Sequence, residues 1–244
     1  MPLLDFQTAL GRLVRVPAGG DPLRGLDLDL RERSHLAVLA DSAGFRFTMD
    51  VQRSWCIGRA AKAARLTLSM LPMEERERLL NEWVDAGRGT TSFFVAEADV
   101  FFDFIAEHLP EPSHLLTICR LEQGTLRASE GAHHFKTPDL VRLAGADCVL
   151  RQGRHATLVR FYSEPRILFA GLTGEKTLPP ISPVPMQMLF GPGVTGLFRE
   201  AQPNELALWE RLARPVPLTA LLREGHGREV IEELFLTGIA ECLE

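Results

Sequence analysis

The chain has 244 residues, of which 45% are hydrophobic and 24% are charged, and its formal net charge at pH 7 is −5. This length and apolar content suffice for one large or two small domains with a real core, and they exclude disordered, collagen-like and coiled-coil proteins. A mildly acidic chain is a poor candidate for nucleic-acid binding, which depends on a basic surface.

Nothing in the sequence indicates a membrane protein or a secreted one. No apolar run approaches the ~20 residues that cross a bilayer. The first residues lack a basic segment followed by an apolar one, so we expect no signal peptide and a cytoplasmic protein. The four cysteines, Cys56, Cys119, Cys148 and Cys242, are far apart and include no CxxC pair. They are expected to be reduced thiols that pack as small hydrophobic side chains.

Residues 1–137 are predicted to form a helical domain, because their apolar residues recur at helical spacing. Pro72 and Gly87 mark the beginning and end of one helix. The predicted helices cover residues 3–15, 30–40, 49–71, 72–87, 92–110 and 114–129.

The pattern changes in residues 138–181, which are predicted to be short strands followed by a linker. ADCVLRQG, HATLVRFYS and EPRILFAGL are short, rich in β-branched or aromatic residues, and separated by turns of hairpin length. The proline-rich stretch TLPPISPVP then predicts an extended, semi-rigid linker.

Residues 182–244 have the size and element order of a winged helix. Two predicted strands flank Gly191–Pro192–Gly193, three helices follow, and the chain ends in a strand or tail. Asn204 is a candidate cap for the first of these helices. The fold class expected is therefore α+β, with an N-terminal helical bundle, short antiparallel strands and a C-terminal winged helix.

The charge of this last module argues against a DNA reader. It holds five arginines and nine glutamates, a net charge of −4, and its third helix, which begins at Arg228, carries three of the glutamates. Phosphate repulsion would oppose docking of that helix in a DNA groove. A module of this shape can instead bind an extended peptide, which adds as a strand to the sheet edge beside the third helix.

The module resembles the precursor-peptide recognition elements of ribosomal peptide natural-product pathways. The resemblance lies in MLF…GLFREA, ELALWERLARPVPL and VIEELFLTGIAECLE. It implies a peptide-binding surface formed by Leu197, Phe198, Arg199, Glu200, Arg228, Ile231, Leu234 and Phe235. The alternative for Leu197, Ile231, Leu234 and Phe235 is a place in the core, which is the better expectation for at least half of them.

No catalytic or metal-binding motif is found. The sequence contains no nucleophile elbow, HExxH, P-loop or GxGxxG motif. The His133–His134 pair is interpreted as part of a solvated loop, and Cys56 or Cys119 would act as a nucleophile only beside a histidine and an acid in space. We therefore predict no catalytic and no metal-binding residues in this chain.

A second resemblance concerns the CRLEQ stretch at residues 119–123, which follows the phenylalanine-rich EADVFFDF segment. With the acidic winged helix, it resembles partner proteins of multinuclear non-haem iron oxidases, TIM-barrel enzymes of the domain-of-unknown-function 692 group. The two known types act in 3-thiaglutamate and methanobactin synthesis, and the order of LTLSMLP, EAD and CRLE favours the first.

This resemblance implies a non-catalytic partner subunit with no cofactor of its own, while two or three iron ions belong to the oxidase. The chain would hold the leader of a carrier peptide and present its C-terminal cysteine for removal of the β-carbon. The helical domain would contact the oxidase, with Arg120 and Glu122 as candidate interface residues. The alternatives are a methanobactin-type partner in oxazolone and thioamide formation, a winged-helix transcription regulator, and an independent enzyme using Cys119 or His133–His134.

Overall fold

The computed structural model describes residues 3–15, 21, 23–87, 94–144, 148–174 and 177–243. It confirms the α+β class: the described residues form eleven α-helices and two small antiparallel sheets of three strands each. The chain divides into two compact units, Met1–Glu107 and His108–Glu244. No helix in the described ranges is long and apolar enough to cross a membrane.

The first unit is helical. Its elements are α1 (Leu3–Arg15), α2 (Leu30–Ala40), α3 (Ala43–Ala63), α4 (Arg65–Ser69), α5 (Met73–Asp85) and α6 (Phe94–Glu107). The bounds predicted for the first two helices are confirmed. The helix predicted over residues 49–71 is wrong in detail, because α3, capped by Ser42, begins six residues before Met49 and the helix is interrupted at Ala64.

Aromatic packing joins α5 to α6 in this unit. The ring of Trp83 lies edge-on to Phe101, with centroids 5.1 Å apart, and 5.6 Å from the ring of Phe104. Trp83 and Phe101 are fully buried, and such pairs add about 0.5–1.5 kcal/mol beyond the area that they bury. The long helix α3 contacts α1, α5 and α6, so it is the central element of the unit.

The second unit combines helices with both sheets. Its elements are α7 (His114–Ala132), a short 3-10 helix (Leu140–Ala144), β1 (Val149–Gln152), β2 (Thr157–Phe161), α8 (Pro165–Leu172), β3 (Met186–Phe190), β4 (Phe198–Glu200), α9 (Pro203–Arg211), β5 (Val216–Pro217), α10 (Leu218–Arg223), α11 (Arg228–Leu236) and β6 (Ala240–Leu243). The strand orders are β2-β3-β4 and β5-β1-β6.

The sheet β2-β3-β4 lies between two helical layers. On one face, α7 comes so close that a Cβ on Gly124 would lie 3.1 Å from the ring of Phe190. On the other face, Leu189 belongs to a core that includes Leu208 of α9 and Leu234 of α11. Because successive strand residues point to opposite faces, β3 is buried on both sides. Among the described residues β4 pairs with β3 alone, so β4 is an edge strand of this sheet.

Two predictions for the strand region are wrong. The stretch EPRILFAGL is the helix α8, since Glu164 is extended and Pro165 occupies the first helical turn, where its missing N–H costs nothing. The predicted hairpin between the first two strands does not form, because β1 pairs with β5 and β6 while β2 pairs with β3. The hairpin around Gly191–Pro192–Gly193 is confirmed as β3 and β4.

The domain division differs from the predicted boundary at residue 137. The helix α7 contacts β2 and β3, and the chain divides between Glu107 and His108. The helical pattern of α7 gave no sign that its buried face covers a sheet formed later in the chain. The cap of α9 is also corrected: the N-cap is Gln202, whose backbone N–H donates to Glu205, and Asn204 lies inside the first turn.

Candidate functional site

The edge of β4 beside α11 is the candidate binding site in the second unit. Within the described residues, β4 pairs only with β3, in the register Met188↔Glu200, Leu189↔Arg199 and Phe190↔Phe198. Main-chain bonds Ala201 N–H to Gln187 O and Gly191 N–H to Leu197 O flank this register. Antiparallel bonding alternates along a strand, so the main-chain groups of Phe198 and Glu200 point away from β3.

A tight loop leads into this edge. Leu197 has a φ of 73°, a conformation that a bulky residue rarely adopts. Two main-chain hydrogen bonds hold it: its N–H donates to Val194 O at 2.8 Å, and its carbonyl accepts from Gly191 N–H at 3.0 Å. The loop therefore fixes where β4 begins and leaves the Leu197 side chain half-exposed.

Arg199 joins β4 to the two helices beside it. Its guanidinium donates to both carboxylate oxygens of Glu205 on α9 and to Glu233 on α11, at 2.9 Å for the last. Glu205 is buried, while the Glu233 side chain is exposed. Because Arg199 and Leu189 occupy the same register position, the guanidinium lies on the face of the sheet that packs against the C-terminal helices.

The buried carboxylate of Glu205 stays ionised. Burial opposes its charge, but hydrogen bonds from Arg199 and from the backbone N–H of Gln202 outweigh burial and hold the pKa of Glu205 below its ordinary value. The hydrogen bond to Glu205 and the charges of Glu205 and Glu233 raise the pKa of Arg199. The cluster is thus a fixed ion pair that sets the spacing between the β4 edge and α11.

Of the eight predicted peptide-contact residues, three lie in the core. Ile231, Leu234 and Phe235 of α11 are at most 2% exposed and belong to the main cluster of the unit. Their spacing fits the buried face of the helix, which is why the resemblance alone did not distinguish them from surface residues. As core side chains they are not available to a peptide.

The other five predicted residues lie at or near the surface. Leu197, Phe198 and Arg199 are half-buried, and Glu200 and Arg228 are exposed. The ring of Phe198 stacks on Phe190, with centroids 4.8 Å apart, so its contribution to an outer surface is its main chain and one ring face. Their role in peptide binding stays a prediction.

The two predicted oxidase-contact residues, Arg120 and Glu122, lie on α7 and therefore in the second unit. Both are half-buried, and Arg120 donates to Gln123 Oε1 at 2.6 Å. Their neighbours Cys119 and Gln123 face the core, at 0% and 1% exposed. The CRLEQ stretch is thus mainly a packing segment of α7, and its role in partner binding stays a prediction.

The helix α3 of the first unit carries an exposed apolar stripe that the sequence reasoning missed. Phe47, Val51 and Trp55 are spaced by four residues, and Phe47 and Trp55 are 70% and 65% exposed. Residues four apart share one face of a helix. The four-residue spacing was visible in the sequence, but the spacing alone does not show which apolar side chains are exposed. Exposed rings in a line on one helix are typical of a contact surface.

The described residues contain no group of three or more His, Cys, Asp or Glu side chains placed to hold a metal ion. His133 and His134 are exposed at the end of α7, in line with their interpretation as loop residues. No protein-family model matches this chain, and neither does any curated protein.

Proposed function

We propose that this chain is a non-catalytic subunit that binds the leader of a ribosomally made carrier peptide at the β4 edge and presents the peptide's cysteine to a TIM-barrel non-haem iron oxidase. The observation that carries the proposal is the edge of β4, where the main-chain groups of Phe198 and the N–H of Glu200 point outward beside α11. The outward carbonyl of Glu200 accepts from the Arg199 guanidinium at 3.2 Å. Main-chain pairing of this kind binds an extended peptide with little regard to its sequence.

Charge around the edge favours a peptide with basic residues. Glu200 on the strand and Glu229 and Glu233 on α11 are exposed. The two arginines near them are paired: Arg199 is shared between Glu205 and Glu233, and Arg228 pairs with Glu232. Lysine or arginine side chains of a leader would complement this surface. The same carboxylates would repel DNA phosphates, which weakens the alternative of a transcription regulator.

The exposed stripe of α3 supports contact with a second protein. Phe47, Val51 and Trp55 present aromatic and aliphatic surface of the kind enriched at the centre of interfaces. We assign this stripe, rather than Arg120 and Glu122 alone, to the oxidase. The oxidase would supply the iron chemistry, and this chain would contribute by positioning, which raises the effective concentration of the cysteine.

The peptide site is tested with two variants of one exposed residue. Glu200→Pro removes an outward N–H from the edge, whereas Glu200→Ala removes the same carboxylate and keeps the N–H. The probe is a fluorescein-labelled synthetic peptide encoded by a short reading frame ending in cysteine beside the gene. Fluorescence anisotropy should show at least about tenfold weaker binding for the proline variant than for the alanine variant.

Equal affinities of the two variants, or no binding by the unaltered chain, would overturn the assignment of the edge. Circular dichroism checks that both variants are folded.

The oxidase contact is tested by co-purification with a TIM-barrel oxidase encoded in the same gene cluster. Trp55→Ala should reduce the recovered complex strongly, whereas Met73→Ala should not. Met73 is a matched control because it is similarly exposed, at 64%, on α5 of the same unit. Undiminished complex with Trp55→Ala would contradict a contact through α3.

A further inference from the structure

A cavity of about 610 Å³ opens in the second unit, away from the contacts of Arg199. Its walls come from four parts of the unit: the end of α7 with the segment that follows it to Arg142, β1 with the turn after it, the loop between β3 and β4, and the chain from the end of α11 through β6. A volume of this size lies within the range of small-molecule sites, about 300–1,000 Å³.

The cavity is basic although the C-terminal module that supplies part of its wall is acidic. Among the described residues, four cationic side chains line it, Lys136, Arg142, Arg151 and Arg154, against two carboxylates, those of Glu130 and Glu241. The described lining therefore carries a formal excess of two positive charges, and His134 and His155 also line it. Concave walls concentrate such a field on the ligand that enters.

The cations are only partly neutralised. Glu241 accepts from Arg151 at 2.6 Å and from the backbone N–H of Arg154 at 3.2 Å. In the part of the chain that the structure describes, the side chains of Lys136 and Arg154 make no ion pair with a carboxylate. Both side chains are exposed and line the cavity, so they are available to pair with an anionic ligand.

The remaining walls are apolar and firmly packed. A Cβ on Gly193 would lie 2.4 Å from the ring of Phe135, and one on Gly238 would lie 2.7 Å from the same ring. Pro192 packs against Gly238 on the same side. Because these contacts leave no room for rearrangement, one side of the cavity is a preformed apolar surface next to the cations.

We propose that this cavity is a binding site for a small organic anion, a phosphate or carboxylate group attached to an apolar or aromatic body. The anion would pair with Lys136 and Arg154, and the body would lie against Phe135 and Pro192. This site goes beyond peptide binding at β4, since it uses different residues and a different kind of contact.

The test is isothermal titration calorimetry of the full chain with phenyl phosphate, benzoate and inorganic phosphate. Phenyl phosphate or benzoate should bind, and the tighter of the two identifies the anionic group. Inorganic phosphate should bind more weakly than phenyl phosphate, because it lacks the body that the apolar wall would contact.

The double variant Lys136→Gln/Arg154→Gln should weaken the tighter ligand by at least about tenfold. Arg166→Gln/Arg214→Gln is the matched control, with the same loss of charge at two exposed arginines elsewhere in the unit, and should change affinity less than about twofold. No binding of either organic anion, or equal loss in both double variants, would overturn the site. All four substituted residues are exposed, so thermal unfolding should stay unchanged.

Discussion

Each of the two units buries a glutamate that is paired with an arginine, yet the pKa values of the two carboxylates are shifted in opposite directions. Glu97 of the first unit is 4% exposed, and Glu205 of the second is 3% exposed. Arg59 contacts both oxygens of Glu97, at 2.9 and 3.0 Å, much as Arg199 contacts Glu205. Burial nevertheless raises the pKa of Glu97 above its ordinary value, whereas the pKa of Glu205 is lowered.

The difference comes from the hydrogen bonds that the two carboxylates accept, since both glutamates lie in the first turn of their helices and the helix dipole does not separate them. Glu205 accepts a further hydrogen bond from the N–H of Gln202 at 2.8 Å. Glu97 accepts from Arg59 on Oε1, and among the described residues its buried Oε2 has no hydrogen-bond partner. An arginine alone therefore does not offset burial at Glu97, whereas the backbone donor of Gln202 adds to the arginine at Glu205.

The largest expected effect on stability follows from replacing Arg199 or Arg59, the arginines that pair with the two buried glutamates. Arg199→Met leaves an ionised Glu205 buried without its main partner and should lower the free energy of unfolding of the second unit by about 3–5 kcal/mol. Arg59→Met should cost the first unit less, because Glu97 takes up a proton more readily. Urea unfolding followed by peptide-resolved hydrogen exchange separates the units. The control is Arg228→Met, which breaks an exposed pair with Glu232 worth about 0.3–0.5 kcal/mol.

A loss for Arg59→Met as large as that for Arg199→Met would contradict the comparison.

Replacing one glycine in each unit by alanine should change the stability of the two units in opposite directions. A Cβ on Gly153 would lie 2.2 Å from the carbonyl oxygen of Gly238, so Gly153→Ala should cost the second unit about 1–3 kcal/mol through overpacking. Gly58 lies within α3 with open space around it, and Gly58→Ala should stabilise the first unit by up to about 1 kcal/mol. Thermal unfolding measures both. A neutral Gly153→Ala would show that the chain around β1 and Gly238 is not tightly packed.

The pH dependence of stability should have opposite sign at the two glutamates. Glu205 has a lowered pKa in the folded chain, so its stabilisation is present above the ordinary value of 4.5 and is lost as the pH falls through the folded pKa. Glu97 has a raised pKa, so its contribution is present below 4.5 and is lost as the pH rises through the folded pKa. Urea midpoints of each unit across the acidic range test this.

Glu205→Gln should reduce the acid dependence of the second unit, where Glu111 and Glu224 also have a lowered pKa, and Glu97→Gln should reduce that of the first. Unchanged profiles in both variants would assign the dependence to other carboxylates.

The smallest effect concerns a thiol of the second unit. The Sγ atoms of Cys148 and Cys242 lie 3.1 Å apart, and burial together with this contact raises the pKa of Cys148 to about 12. Its neutral thiol should resist iodoacetamide in the native chain at about pH 8 and react in concentrated urea. Mass spectrometry of alkylated peptides checks this. Rapid native labelling of Cys148 would show an open strand end at β1.

The free energy of unfolding of the second unit should also decline as the pH rises from 9.0 towards about 12.

Local signals in the sequence predicted most of the elements and part of the candidate site. The apolar spacing placed α1, α2 and α11, and the Gly-Pro-Gly turn placed the hairpin of β3 and β4. Phe198 to Glu200 form β4 within the stretch predicted to be a strand, whereas Leu197 lies in the loop before it. The prediction failed at α8, because Ile, Leu and Phe favour strands only when a neighbouring strand accepts them.

The cavity could not be predicted, because its residues come from four separate parts of the second unit and none forms a motif. Ile231, Leu234 and Phe235 were placed on the binding surface because a helix pattern shows that one face is apolar but not what lies against it.

By itself, the sequence determined the elements that depend on near neighbours, namely the capped and periodic helices, the turn of the hairpin and the acidity of residues 182–244. The tertiary structure alone decided that β1 pairs with β5 and β6, that α7 belongs with the sheets, and that two similar glutamates ionise differently. The physical reason is range: caps and turns act over a few residues, whereas strand pairing, burial and charge compensation depend on residues distant in sequence.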